Sequence, residues 1–169
     1  MKTYIMLVGL PGSGKSTWTK NFLEGIPYSY SVLSSDHFIE MEAARLSTTY
    51  TDIFGEYVGT AMKLLREKTA AAFSDGVEVV VQDQTNMNEK TRAKKLAEVP
   101  IGYRRIAVYF EVEENELKRR LAARPDKFIP DHVIKSMKDS YERPKHNEKF
   151  HFVFNGEKEP MKNILRTVG

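Results

Sequence analysis

The chain has 169 residues, 41% of them hydrophobic and 29% charged, which fits one globular domain and argues against a disordered chain or a membrane protein. It contains no cysteine, which excludes a disulfide-linked partner and thiol catalysis and favours a cytoplasmic location. The net charge of +3 is small for a protein that coats nucleic acid, although basic residues cluster at 90–95 and 118–127. We expect no membrane anchor or signal peptide, because the longest apolar run is 5–10 and no cleavage site precedes Gly9.

Hydrophobic spacing predicts strands and helices that alternate along the whole chain. In chain order the predicted elements are strand 3–8, helix 15–23, strand 31–33, a helix to about residue 45, a loop at 47–52, helix 55–73, strand 77–81, helix 88–98, strand 103–110, helix 113–123, a helix opening at 130–131, strand 150–154 and a short final helix. Without a repeat or a linker, we interpret residues 1–169 as one α/β domain. Five strands interleaved with helices favour a five-stranded parallel sheet with helices on both faces. Ligands of such sheets bind beyond the carboxyl ends of the strands, so the residues that follow each strand should converge.

A phosphate-binding loop follows the first predicted strand. Residues 9–16 read GLPGSGKS and match the pattern G-x-x-x-x-G-K-[ST] between a predicted strand and a predicted helix, which disfavours a chance glycine-rich turn. The glycines let backbone amides approach a polyphosphate, and the helix N-terminus adds positive potential. The Lys15 ammonium suits the β- and γ-phosphates, and the Ser16 hydroxyl suits Mg²⁺, which prefers oxygen ligands. The predicted donor-binding residues are Gly12, Ser13, Gly14, Lys15, Ser16 and Thr17, together with Arg120 further along the chain.

Two carboxylates follow later strands. Asp83 comes after the valine-rich strand, where it can hold Mg²⁺ or its waters, or else be a loop or cap residue. Whether Asp83 or its neighbour Gln84 faces the site stays open. Asp36 follows the second strand and can accept a proton from an acceptor hydroxyl. The alternative for Asp36 is a helix N-cap, because Ser/Asp clusters are typical caps.

Arg120 and Arg124 lie four residues apart on a predicted helix that leads into a proline-bounded flap. An arginine on a closing flap can stabilise the charge of a phosphoryl group in transfer. The alternative is a solvated basic helix face. Thr85, Asn86 and Arg92, after the third strand, are candidates to bind the acceptor, although a plain capping loop is an equal alternative.

These motifs together resemble the kinase domain of the bacteriophage polynucleotide 5′-kinases. The resemblance is carried by residues 9–18, by Asp36, by the stretch 85–88 with Arg92, and by Arg124 followed by 129–137. It implies a P-loop kinase sandwich with a small lid at about 119–132. It also implies transfer of the γ-phosphate of ATP, with Mg²⁺, to a nucleic acid hydroxyl, and a phage-encoded enzyme in a host cytoplasm.

By the same resemblance, Lys15 and Ser16 bind the donor, Asp36 is the general base, Arg124 is the lid arginine and Arg92 matches an arginine of the family. The family's acceptor-gripping arginine, three residues past the base, falls at Ile39, and the chain has no room for the fused phosphatase. A polynucleotide 5′-hydroxyl, in DNA or RNA, is the main expected acceptor. The alternatives are 5-hydroxymethyl-pyrimidines in phage DNA, a small nucleoside or sugar, and a nucleotide-binding switch without catalysis.

Overall fold

The computed structural model describes residues 1–168 as strands and helices in alternation. The strands are β1 (Thr3–Val8), β2 (Tyr30–Leu33), β3 (Val79–Gln82), β4 (Arg104–Tyr109) and β5 (Phe152–Asn155). The helices are α1 (Lys15–Glu24), α2 (Ser35–Arg45), α3 (Tyr50–Ser74), α4 (Glu89–Glu98), α5 (Glu114–Ala122), α6 (Asp131–Asp139) and α7 (Met161–Leu165), with a 3-10 turn at His146–Glu148.

The five strands form one parallel sheet in the order β2-β3-β1-β4-β5, which confirms the predicted fold class. Strand β1 is central, and all six of its residues are buried because helices cover both faces of the sheet. Its alternate side chains enter two separate clusters. Tyr4 and Met6 pack with residues of α3 and α4, whereas Ile5 and Leu7 pack with α1 residues such as Trp18.

The prediction was wrong about the start of the longest helix. Helix α3 begins at Tyr50, within the stretch 47–52 that was predicted to be a loop. A capping box starts it, since the Thr49 hydroxyl and the Asp52 carboxylate each bond the other residue's backbone N–H. The predicted bounds of β1 are confirmed, and those of the other four strands differ from the observed ones by at most two residues at either end. None of the described helices is long and apolar enough to cross a bilayer.

Candidate active site

A cleft of about 960 Å³ lies at the carboxyl ends of β1, β2 and β3. Residues 11–16 of the phosphate loop line it. Gly12 and Gly14 adopt positive φ values of 78° and 99°, which side-chain-bearing residues rarely adopt, and Gly14 caps α1. Because α1 starts at Lys15, its N-terminus faces the cleft, as the predicted anion site requires.

The Lys15 side chain is buried against the phosphate loop. Its Nζ donates hydrogen bonds to the carbonyl oxygens of Gly9 and Leu10, at 2.9 and 2.8 Å. Burial lowers the pKa of Lys15 to about 8, although Asp83 and Asp36 act in the opposite direction. The ammonium is therefore held in place by neutral acceptors, and a bound phosphate would supply the counter-charge that those acceptors lack.

Ser16 and Asp83 meet across the cleft. The Ser16 hydroxyl donates to Asp83 Oδ2 at 3.0 Å, and burial raises the pKa of Asp83 above its ordinary value. A hydroxyl and a carboxylate beside a phosphate loop are oxygen donors of the kind that Mg²⁺ prefers, so the pair fits the predicted metal. Gln84 also lines the cleft, but its amide bonds Ser35 and its oxygen accepts from Lys95, whereas Asp83 reaches Ser16.

Asp36 lines the same cleft from the first turn of α2. The cap of this helix is Ser34, whose hydroxyl accepts from the His37 N–H, so the Asp36 carboxylate is free for other contacts. Its Oδ1 accepts from the Tyr50 hydroxyl at 2.9 Å, and its Oδ2 accepts from Lys127 Nζ at 2.6 Å. Each carboxylate oxygen is thus held by a donor from a different element.

The predicted lid, residues 119–132, covers the end of α5, the irregular segment that follows it and the first two residues of α6. Arg124 lies just beyond α5, where its N–H bonds the Leu121 carbonyl, and Arg120 and Arg124 both line the cleft. A Cβ built on Gly14 would lie 3.5 Å from Arg120 Nη1, so this guanidinium sits over the phosphate loop. The basic cluster at 118–127 therefore divides. Lys118 and Arg119 pair with glutamates of α5 and do not line the cleft, whereas Arg120 pairs with Glu116 at 2.7 Å and also lines the cleft.

The lid tip is docked on the start of α3. The Thr51 N–H donates to the Asp126 carbonyl at 3.3 Å, and the Phe128 N–H donates to the Thr51 hydroxyl at 2.9 Å. Arg124 Nη2 lies 4.0 Å from Glu40 Oε1 of α2. These contacts bring the lid against both helices that follow β2.

Three residues after β3 were predicted to bind the acceptor, and the structure separates them. Thr85 lines the cleft, but Asn86 is buried and its amide donates to the Leu7 carbonyl at 2.7 Å. Arg92 is fully buried in a two-bond ion pair with Glu148, at 2.7 and 2.8 Å. The structure therefore does not support acceptor contacts by Arg92 or Asn86, because both side chains are buried and inaccessible to an acceptor.

Arg92 instead holds the backbone of this loop. Its Nη1 donates to the carbonyls of Asn86, Met87 and Glu142 at 3.1, 3.2 and 2.8 Å. Asn86 has a positive φ of 48°, a conformation that non-glycine residues seldom adopt, and the guanidinium helps to secure it. The basic cluster at 90–95 is thus partly internal, and Arg92 positions the loop that carries Asp83 and Thr85.

Sequence reasoning assigned no role to Tyr50 and none to Lys127 beyond its place in a basic cluster. Both touch Asp36, from 14 and 91 residues away in the chain. The capping box at Thr49 was the one available signal, since it places Tyr50 on the first turn of a helix. No local pattern indicates the contact of Lys127, because it depends on the packing of the segment after α5 against α2 and α3.

A protein family model described as an AAA domain, AAA_33, matches residues 5–144. The chain belongs to this family. The match covers the phosphate loop, Asp36, Asp83 and the lid. It identifies the family at this level and does not extend to the bacteriophage polynucleotide kinases in particular.

Solved kinase structures share the fold. A putative kinase from Chloroflexus aurantiacus is 15% identical with a TM-score of 0.69, over 98% of this chain and 93% of that one. Shikimate kinase from Acinetobacter baumannii in complex with shikimate is 16% identical with a TM-score of 0.57, over 99% and 90%. A chain of the Pnkp1/Rnl/Hen1 RNA repair complex is 20% identical with a TM-score of 0.64, over 82% of this chain but 43% of that one. The fold is that of the P-loop kinases.

Proposed function

We propose that the protein is an ATP-dependent kinase that phosphorylates a hydroxyl group of a small molecule. The observation that carries this proposal is the position of Asp36. Its carboxylate lies in the cleft that also holds Lys15, Ser16 and Asp83, beneath the basic lid. A donor site and a carboxylate that can accept a hydroxyl proton are the two parts that phosphoryl transfer to an alcohol requires.

Each cleft residue has a separate role in this proposal. The phosphate loop and Lys15 bind the triphosphate, while Ser16 and Asp83 hold Mg²⁺, which neutralises charge on the phosphates when it is bound. Asp36 orients the acceptor hydroxyl and takes its proton. Arg124 and Arg120 stabilise the negative charge on the transferring group from the lid side.

The closed lid favours a small acceptor over a polymer. The lid tip is hydrogen-bonded to Thr51 of α3, and its own Lys127 bonds Asp36 of α2. The lid, α2 and α3 therefore enclose the space next to Asp36. Structures that this chain matches over nearly their whole length include a shikimate kinase and a gluconokinase, named for small acceptors. These features support a small hydroxyl compound in preference to the polynucleotide end that the sequence resemblance implied.

A nucleic acid hydroxyl is the second candidate, and a different observation favours it. The segment 129–137 resembles the polynucleotide kinases, and Phe128 at the lid tip is 65% exposed, four residues along the chain from the half-exposed Arg124. An exposed aromatic ring suits a stacked base. This candidate includes both a 5′-terminal hydroxyl and a hydroxymethyl group on a base within DNA.

A screen with γ-labelled ATP separates these candidates. The acceptors are nucleosides, sugars and hydroxy acids on one side, and on the other DNA and RNA with 5′-hydroxyl ends and DNA with 5-hydroxymethyl-pyrimidines. We expect label on a small acceptor and no inhibition by oligonucleotides. Label found only on oligonucleotides would overturn the small-acceptor proposal, and its terminal or internal position would identify the hydroxyl.

Asp36→Asn tests the catalytic assignment. We expect acceptor-dependent turnover to fall by about a hundredfold or more, with ATP affinity retained, because the amide cannot take the hydroxyl proton. Asp75→Asn, at the far end of α3, is the matched control and should keep full turnover. Unchanged turnover in Asp36→Asn would contradict the kinase mechanism. Binding of ATP without any turnover in the unsubstituted protein would instead indicate a nucleotide-binding switch.

A further inference from the structure

Lys127 of the lid is enclosed by side chains of α2 and α3. Its Nζ lies 2.6 Å from Asp36 Oδ2, 3.2 Å from Glu40 Oε1 and 4.4 Å from the centre of the Tyr50 ring. The side chain is only 10% exposed, although it comes from an irregular segment at the surface. Two carboxylates and an aromatic face thus surround one ammonium group, and all three belong to α2 or α3.

The same contacts orient the carboxylate. Tyr50 holds Oδ1 and Lys127 holds Oδ2, so the plane of the Asp36 carboxylate is set from both sides. Each oxygen keeps a second lone pair, which leaves Oδ2 able to accept a further hydrogen bond from an acceptor hydroxyl. The Tyr50 contact joins two helices, α2 and α3, whereas the Lys127 contact joins α2 to the irregular segment of the lid.

We propose that Lys127 is a positioning residue that couples closure of the lid to the orientation of Asp36. With the lid closed, Lys127 fixes the carboxylate against the acceptor, and with the lid open it does not. This inference rests on the proposed role of Asp36 as the base. The coupling itself, between the charge on Asp36 and closure of the lid, exists whichever acceptor is used.

The coupling has a consequence for the end of the reaction. During transfer the acceptor O–H bond breaks and its oxygen forms the new bond to phosphorus, as the bond from the γ-phosphorus to the bridging oxygen of ADP breaks. The proton goes to Asp36, whose carboxylate becomes neutral. Loss of that negative charge removes the strongest contact of Lys127, so the lid tip loosens when the product has formed.

Two backbone amides report closure directly. The N–H of Thr51 bonds the Asp126 carbonyl, and the N–H of Phe128 bonds the Thr51 hydroxyl. The Thr51 amide lies in the first turn of α3, where no helical carbonyl is available to it, so the lid supplies its partner. Opening of the lid exposes both amides to solvent, and hydrogen exchange measures that opening without any acceptor.

We therefore expect Lys127→Met to accelerate exchange at the Thr51 and Phe128 amides by about tenfold or more, because a charge-assisted hydrogen bond is lost. Asp36→Asn, which has the shape of the protonated base, should accelerate the same two amides. Glu40→Gln, which leaves Asp36 intact, should have a smaller effect in the same direction. Lys135→Met, which removes an exposed pair with Asp139 on α6, is the matched control and should leave both amides unchanged.

Kinetics provide a second, separate measurement. Lys127→Met should lower kcat by about tenfold while the Kd for ATP stays unchanged, and Lys127→Arg should recover part of the loss. Unchanged exchange in Lys127→Met or in Asp36→Asn would overturn the coupling. A loss of ATP affinity equal to the loss in kcat would also overturn it, because Lys127 would then belong to the donor site. Failure of the small-acceptor screen, in contrast, leaves the exchange results as they are.

Discussion

For single residues, the charged groups of the site are bonded to protein atoms in this structure, and substrates would replace some of those partners. Lys15 is bonded to loop carbonyls and Asp36 to Lys127 and Tyr50. Each group is held near the position where it would act, so binding requires an exchange of partners and little movement.

Binding of ATP should take up a proton at alkaline pH. Burial lowers the pKa of Lys15 to about 8, so part of the population is neutral at pH 8–9, and triphosphate binding favours the charged form. We expect ATP affinity to fall as pH rises through this window. Calorimetry at pH 8.5 in two buffers of different ionisation enthalpy measures the uptake. Lys15→Met should abolish it, whereas equal uptake in Lys15→Met would contradict the assignment.

Tyr50→Phe removes one of the two donors to Asp36 and keeps the ring beside Lys127. We expect kcat to fall by about tenfold, since a hydrogen bond to a charged group is lost, and the Kd for ATP to stay unchanged. Tyr57→Phe, on the same helix, is the control and should have wild-type kinetics. Wild-type kcat in Tyr50→Phe would show that the phenol does not orient the carboxylate.

Among the elements, two irregular segments are each held by an ion pair, and the two pairs differ in burial. The loop after β3 is fixed by the fully buried Arg92–Glu148 pair, which also ties α4 to the 3-10 turn. The lid is fixed by Lys127, whose partners Asp36 and Glu40 are both 48% exposed. Because the Arg92–Glu148 pair is buried, breaking it is costly. The pairs of Lys127 are partly exposed, so water and ligands can compete for their carboxylates.

Arg92→Met should be strongly destabilising. It leaves the Glu148 carboxylate buried without its partner and frees three backbone carbonyls, which costs about 3–5 kcal/mol of unfolding free energy. Urea unfolding measures the change. Arg119→Met breaks an exposed pair with Glu116 and should cost less than about 1 kcal/mol. A comparable small loss in Arg92→Met would show that the buried pair is not what holds the loop.

At the scale of the whole molecule, sheet order decides which loops meet. The order β2-β3-β1 places the carboxyl ends of these strands side by side. Asp36 follows β2, Asp83 follows β3 and the phosphate loop follows β1, so groups distant in sequence line one cleft. Helix α4 packs against the same sheet and carries a partly buried lysine, Lys95.

Lys95 should make the protein more stable as pH rises from about 8 to 9.5. Burial lowers its pKa to about 8, and its Nζ bonds the amide oxygens of Gln84 and Asn86 rather than a carboxylate. In this window the unfolded chain binds more protons than the folded one, so the free energy of unfolding rises with pH. Lys15 contributes in the same direction. Urea unfolding at pH 7.5, 8.5 and 9.5 measures the slope.

Lys95→Met should reduce that slope by about half, because Lys15 remains to supply the rest. Lys135→Met, at an exposed position, is the matched control and should keep the full slope. The window ends near pH 9.5, since Tyr4 and Tyr50 have pKa values raised above the ordinary value of 10 and their ionisation in the unfolded chain then opposes folding. A flat profile in the unsubstituted protein would contradict the prediction.

The fold class and the phosphate loop were predictable from local features of the chain. Apolar runs followed by helical spacing predict a parallel sheet, and a phosphate loop is a contiguous motif whose function depends on local backbone geometry. The sequence also pointed to Asp36, but the partners of its carboxylate and the burial of Arg92 came from tertiary packing. Arg92 carries the same charge whether it is buried or exposed, so only packing against Glu148 assigns it to the core. Tyr50 and Lys127 reach Asp36 through a helix cap and a closed lid, and contacts that span 14 and 91 residues leave no periodic signal in the chain.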